Sequence, residues 1–122
     1  MTTDAGIDLV AYYPKSKRAT TIQVKTNDRP KPSGGKGKLA LDWWLPEASP
    51  AELIALVDLS ELKVWLFTYS EIVESAQQRS GGNLHLYMYT DPSKSPRKDK
   101  RPVLEREFSQ YLLANRSHLV EA

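Results

Sequence analysis

Asp8, Gln23 and Lys25 are the residues of this chain whose types and spacing suit a reaction. Gln23 and Lys25 flank Val24, so on a strand their side chains leave one face, about 7 Å apart. Asp8 sits in a preceding segment that also reads as strand. If the turn between the two centres near Ser16, residue 8 comes opposite residues 23 to 25 and the three groups share a face. A carboxylate and an amide oxygen are hard ligands of the kind Mg²⁺ takes while it keeps waters and phosphate oxygens. A neighbouring ammonium can orient or deprotonate an attacking water and offset charge on a phosphate. A metal held there would polarise a phosphodiester and lower the pKa of a bound water. The plain alternative is that Asp8 ends a turn and Gln23 and Lys25 line a wet strand face. A slip of one residue in register would send a side chain to the other face.

The elements that must position these groups follow from local pattern. Residues 7–13 are rich in β-branched and aromatic types, and 20–26 alternate with period 2, which predicts two strands across a polar turn at 14–18. Residues 27–38 hold Pro30, Pro32, Gly34, Gly35 and Gly37 and read as an irregular loop. A short strand is expected over 39–45, ended by Pro46. Residues 52–58 fit helix or strand by periodicity alone. We assign strand, because the run is short and 62–68 follows across a tight link, as in a hairpin. Ser70 is expected to cap a helix over 71–79, with Gly81-Gly82-Asn83 turning the chain into a strand over 84–90. Residues 91–102 read as a second basic loop. Val103, Leu104, Phe108, Tyr111 and Leu112 fall at helical spacing, so an amphipathic helix is expected over 103–114, extending to about Leu119. This order predicts one α+β domain over residues 1–122, with a central mixed sheet of about five to six strands, a short helix and a C-terminal helix.

The chain has 122 residues, 17 Lys and Arg, 15 Asp and Glu, and a formal charge of only +2. That sum conceals an asymmetry. Residues 15–38 carry Lys15, Lys17, Arg18, Lys25, Arg29, Lys31, Lys36 and Lys38 against Asp28 alone. Residues 94–101 carry Lys94, Arg97, Lys98, Lys100 and Arg101 against Asp99, while eight acids face two basic residues between 42 and 91. Clustered basic charge of this kind attracts a phosphate backbone, and DNA is the expected partner. The alternative is two solvated loops. No Cys is present, which excludes disulfides, thiolate zinc sites and Cys nucleophiles. No secretory signal or membrane span is visible, and a cytoplasmic location is expected. His85 and His118 have no second His at ligand spacing, and no Ser stands in a readable Ser–His–Asp pattern. Gly34-Gly35-Lys36-Gly37-Lys38 lacks the spacing of a nucleotide-binding loop. Trp43-Trp44 would split on a strand, one ring inward and one outward to a base or a second copy in a homodimer. Core packing of both is the reading we prefer.

Gly6-Ile7-Asp8-Leu9-Val10, a turn, and then Ile22-Gln23-Val24-Lys25-Thr26 resembles the core of the PD-(D/E)XK nuclease superfamily, in the small branch with Gln in the acidic position, which includes some homing endonucleases. The motif covers residues 6–26, and strand order extends the likeness to about residue 90. The resemblance implies a restriction-endonuclease-like fold and Mg²⁺-dependent (or Mn²⁺-dependent) DNA hydrolysis. It makes Asp8 and Gln23 metal ligands and Lys25 the catalytic Lys. That family usually places a helix with a Glu before the Asp strand. Only five residues precede Gly6 here, so a site without that Glu is expected, with Glu105 or Glu107 as the acids that would have to swing in. The alternative is a catalytically degenerate module that binds nucleic acid or a partner protein without cleaving.

Overall fold

A computed structural model of the chain describes residues 8–33, 37–99 and 101–121. Among these residues, eight strands form two four-stranded sheets. Strands β1 (Leu9–Tyr13), β2 (Arg18–Asn27), β5 (Leu53–Asp58) and β6 (Lys63–Thr68) make the first, in the order β1-β2-β5-β6. Strands β3 (Lys31–Pro32), β4 (Leu39–Pro46), β8 (Asn83–Tyr89) and β7 (Gln78–Ser80) make the second, in the order β3-β4-β8-β7. The α+β class holds, but the strands divide between two sheets where a single sheet of five to six strands was expected. The cause is the segment after β2. Its Lys31-Pro32 pair and the following β4 leave the first sheet and found the second, and only then does the chain return as β5, parallel to β2.

The core lies between the sheets. Alternation in β4 sends Leu41, Trp43 and Leu45 inward, and β8 contributes Leu84, Leu86 and Met88. They meet Ile54 and Leu56 of β5 and Trp65 and Phe67 of β6. Trp43 and Trp65 touch edge to face at 5.8 Å, and the Trp43 indole donates to the Val57 carbonyl at 3.3 Å. The opposite face of the first sheet buries Ile22, Leu53, Ala55 and Leu66, partly covered by Leu119 and Val120.

The helices differ from the expected ones in bounds and kind. Helix α1 spans Tyr69–Ser75, one turn shorter at its end than 71–79, and its cap is Thr68. Thr68 and Glu71 form a reciprocal capping box, in which the Glu71 carboxylate accepts the Thr68 N–H at 2.8 Å. The chain leaves the helix at Ala76 because residues 78–80 pair with β8. Gly81 and Gly82 sit at φ +56° and +80°, the conformation that a two-residue hairpin turn requires and glycine adopts without strain. The C-terminal segment buries Val103, Leu104 and Phe108 as its periodicity implies, yet not as one α-helix. Leu104 bridges to Tyr89 and Leu112 to Trp65, which pins both ends of the segment to sheet edges. Between them the backbone forms a 3₁₀ helix, Glu105–Tyr111, followed by short helices α2 (Leu113–Arg116) and α3 (His118–Glu121).

Candidate functional site

The β1–β2 hairpin positions the three chemical groups. Lys17 takes φ 55° at its turn, and Leu9 pairs with Ile22. One step further out, the Asp8 N–H donates to the Ile22 carbonyl at 2.9 Å. Asp8 therefore lies just past the last paired residue of β1, next to Ile22 and Val24, while Gln23 and Lys25 share a face of β2 with their β5 partners Ile54 and Leu56. The Asp8 carboxylate closes the end of the ladder, where its Oδ2 accepts the Val24 N–H at 2.8 Å.

Gln23 is fully buried, and its Oε1 accepts the Ser49 hydroxyl at 3.0 Å. The Ser49 oxygen in turn accepts the Ala51 N–H at 3.3 Å, so the amide is held from the loop between β4 and β5. Lys25 is half-buried. Further along the same face, Asn27 donates to the backbone carbonyl of Asp42 at 2.8 Å and joins β2 to β4. The Ser49 hydroxyl thus fixes the orientation of the Gln23 amide. One carboxylate and one oriented amide oxygen fit Mg²⁺ in its usual mode, where waters and substrate oxygens complete the shell. Among the described residues no group of three or more His, Cys, Asp or Glu side chains converges. Glu105 does not swing in: it binds Lys63 at 2.7 Å. Nor does Glu107, whose carboxylate accepts the Val103 and Leu104 N–H groups at 3.1 and 3.0 Å.

The basic residues fall into two places. Lys15, Lys17 and Arg18 cluster at the β1–β2 turn, about 17 Å along the hairpin from Asp8. Arg18 there pairs with Glu52 at 3.1 Å. The others border the second sheet. Lys31 pairs with Asp28 at 3.1 Å, and Lys94 stands 4.7 Å over the Tyr89 ring. Arg97 forks onto Asp99 at 3.1 and 2.7 Å. That contact holds the Asp99 carboxyl below the usual range and raises the guanidinium. Arg101 donates to the Ala76 carbonyl at 3.3 Å, and Arg29, Lys38 and Lys98 are exposed. Lys36 and Lys100 lie outside the described residues.

The second sheet also carries an arrangement that the sequence reading passed over. Its outward face presents Trp44, His85, Tyr87 and Tyr89. Trp44 is 47% exposed while Trp43 is 3% exposed, so the two rings split and the expectation that both pack in the core is corrected. Trp44 stacks on His85 with centroids 4.2 Å apart and planes within 3°. His85 is fixed by Asp42 at 2.8 Å on Nε2 and by Gln78 at 2.9 Å on Nδ1. The period-2 run His85-Leu86-Tyr87-Met88-Tyr89 could have signalled this row. The partner Asp42, 43 residues away from His85, could not be seen locally.

No protein-family model matches the chain, and no curated protein sequence does. Its fold is similar to that of a bacterial homing endonuclease, I-Ssp6803I. The TM-score is 0.51 at 11% sequence identity, over 99% of this chain and 75% of that one. The fold is thus nuclease-like. No helix among the described residues is long and apolar enough to cross a membrane.

Proposed function

We propose that the chain hydrolyses DNA phosphodiester bonds at the open end of the β1–β2 hairpin. The observation that carries this reading is the hairpin geometry: the Asp8 carboxylate on the Val24 N–H, with Gln23 and Lys25 on either side of Val24 along one face of a nuclease-like sheet. Asp8 and Gln23 would hold Mg²⁺ (or Mn²⁺), which when bound supplies charge opposite the phosphate and acidifies water. Lys25 orients the attacking water and accepts or shares its proton, and its ammonium form offsets charge on the phosphate. Gln23 is kept in orientation by the Ser49 hydroxyl, and Asp8 by the Val24 N–H. The basic residues at the β1–β2 turn and around the second sheet would contact backbone phosphates, which fix position without reading sequence.

The test is incubation of the purified chain with plasmid, branched and single-stranded DNA in Mg²⁺ or Mn²⁺. Cleavage that Lys25→Ala abolishes supports the reading. Absence of cleavage, or cleavage unchanged in Lys25→Ala, defeats it.

One observation favours a second reading, a module that binds DNA without cutting it. Gln23 is fully buried and already engaged, and among the described residues no group of three or more His, Cys, Asp or Glu side chains gathers. Salt-dependent DNA binding with no turnover in either metal is its signature, because phosphate contacts release counterions.

A further inference from the structure

The outward face of the second sheet is built from flat rings in a row. Trp44 of β4 lies over His85 of β8, and His85 is followed on the same face by Tyr87 and Tyr89. His85 and Tyr87 have centroids 5.5 Å apart, as do Tyr87 and Tyr89. Alternate residues on a strand stand about 7 Å apart, so the row advances in steps comparable to the reach of one extended nucleotide. Both His85 ring nitrogens are occupied, by Asp42 and Gln78. The imidazole is therefore held as a floor for Trp44 and is not presented as a metal ligand or a base. Trp44 remains half-exposed above it, in a protein whose other two Trp residues are buried.

The rim of this face carries cations beside its aromatic rings. Lys94 stands over Tyr89, Lys31 borders the same hollow as His85 and Tyr87, and Arg97 lies close to Tyr87. The acids at this rim are engaged: Asp28 by Lys31, Asp99 by Arg97, Asp91 by Ser93, and Asp42 by His85 and Asn27. Aromatic faces combined with primary ammonium groups suit a ligand that is planar and anionic at once. Duplex DNA offers its phosphates to such a surface but keeps its base faces stacked inside. An unpaired strand offers both.

We infer that the Trp44–His85–Tyr87–Tyr89 face is a stacking platform for unpaired nucleotides, with Trp44 and Tyr89 receiving bases and Lys31 and Lys94 contacting the adjoining phosphates. The inference shares with the proposed function its nucleic-acid partner, and it concerns a surface apart from Asp8, Gln23 and Lys25.

The test is fluorescence anisotropy of a labelled oligothymidylate of about 16 nucleotides, and of a duplex of the same length, in EDTA so that no metal-dependent cleavage contributes. Trp44→Ala should weaken single-strand binding about tenfold and Trp44→Phe by much less, with duplex binding changed under about twofold. Lys94→Ala should lower the salt dependence by about one phosphate contact. Single-strand binding that survives Trp44→Ala unchanged overturns the inference, as does an equal loss for the duplex. So does sedimentation showing a dimer that Trp44→Ala dissociates, since the ring would then face a second copy of the chain. Trp44-dependent binding by a chain that never cleaves DNA overturns the hydrolytic reading alone.

Discussion

Asp8 accepts the Val24 N–H through one carboxylate oxygen at 2.8 Å, and so the carboxylate proposed as a metal ligand also finishes the β1–β2 ladder. Structure and chemistry are separable at this position. In Asp8→Asn the amide oxygen can still accept Val24 N–H, so urea unfolding should shift by less than about 1 kcal/mol. Asp8→Ala leaves that donor without its partner and should cost about 1 kcal/mol more. Both variants should lose metal-dependent cleavage alike. Cleavage retained in Asp8→Asn would remove the carboxylate from the proposed site.

Gln23 invites the opposite substitution. Gln23→Glu places a carboxylate at a fully buried position whose Oε1 now accepts the Ser49 hydroxyl. Without metal it should destabilise the fold by about 1–3 kcal/mol, because the charged form loses its hydration. Mg²⁺ should restore part of that loss, since a ligand that binds only the folded state stabilises it. Thermal melts of both proteins with and without Mg²⁺ measure this. A Gln23→Glu melt that Mg²⁺ leaves in place would show that no cation reaches residue 23.

The parts of the fold that could be read from sequence are those fixed by local rules. Period-2 alternation located β2 and β8, and the count from Ser16 brought residue 8 opposite residues 23 to 25, where its carboxylate meets the Val24 N–H. The prolines and glycines after Asn27 marked a break, but not that the break would seed a second sheet, since the pairing of β4 with β8 spans some 40 residues. Residues 76–80 have adequate helical character, yet the hairpin through Gly81-Gly82 captures them as β7. Gln77 reinforces that choice, with its side chain on the Tyr87 N–H and carbonyl at 3.0 and 2.9 Å. In the C-terminal segment the apolar spacing named the buried residues correctly. The bridges of Leu104 and Leu112 to the two sheets anchor both ends, and the backbone between them runs as a 3₁₀ helix, which rises further per residue than an α-helix. Of the site, the hairpin part was legible. Ser49 and the Asp42–His85 contact were not, because neither has a signal within its own segment.

Glu71 makes the fold sensitive to acid. Burial pushes its carboxyl up, but the Thr68 backbone N–H and the Arg116 guanidinium, 2.6 Å away, outweigh burial and hold it below the usual carboxylate range. A depressed carboxyl contributes stability that is present above the unfolded value of about 4.3 and is lost as pH falls through the folded value. Chemical denaturation across pH 2–6 should therefore show a loss that is shallower in Glu71→Gln. Equal slopes for the two proteins would assign the acid sensitivity elsewhere. Arg116→Ala should also flatten that loss, because it brings the folded value of Glu71 up toward the unfolded one.

The adjacent pair Trp43 and Trp44 offers the sharpest check on the arrangement of the two sheets. Trp43 is 3% exposed, meets Trp65 edge to face and donates to Val57, so Trp43→Ala removes a large core side chain and a hydrogen bond that joins the sheets. It should cost about 3–5 kcal/mol and leave the chain marginal. Trp44 is 47% exposed, and its ring rests on His85 on the outward face. Trp44→Ala removes that stacking contact and some half-exposed area, at a cost of about 1 kcal/mol or less. Acrylamide should quench wild-type tryptophan emission in two classes, one accessible and one shielded. Trp44→Ala should delete the accessible class while the protein stays folded. Equal destabilisation by the two substitutions, or quenching that persists in Trp44→Ala, would mean that the second sheet does not present this face to solvent.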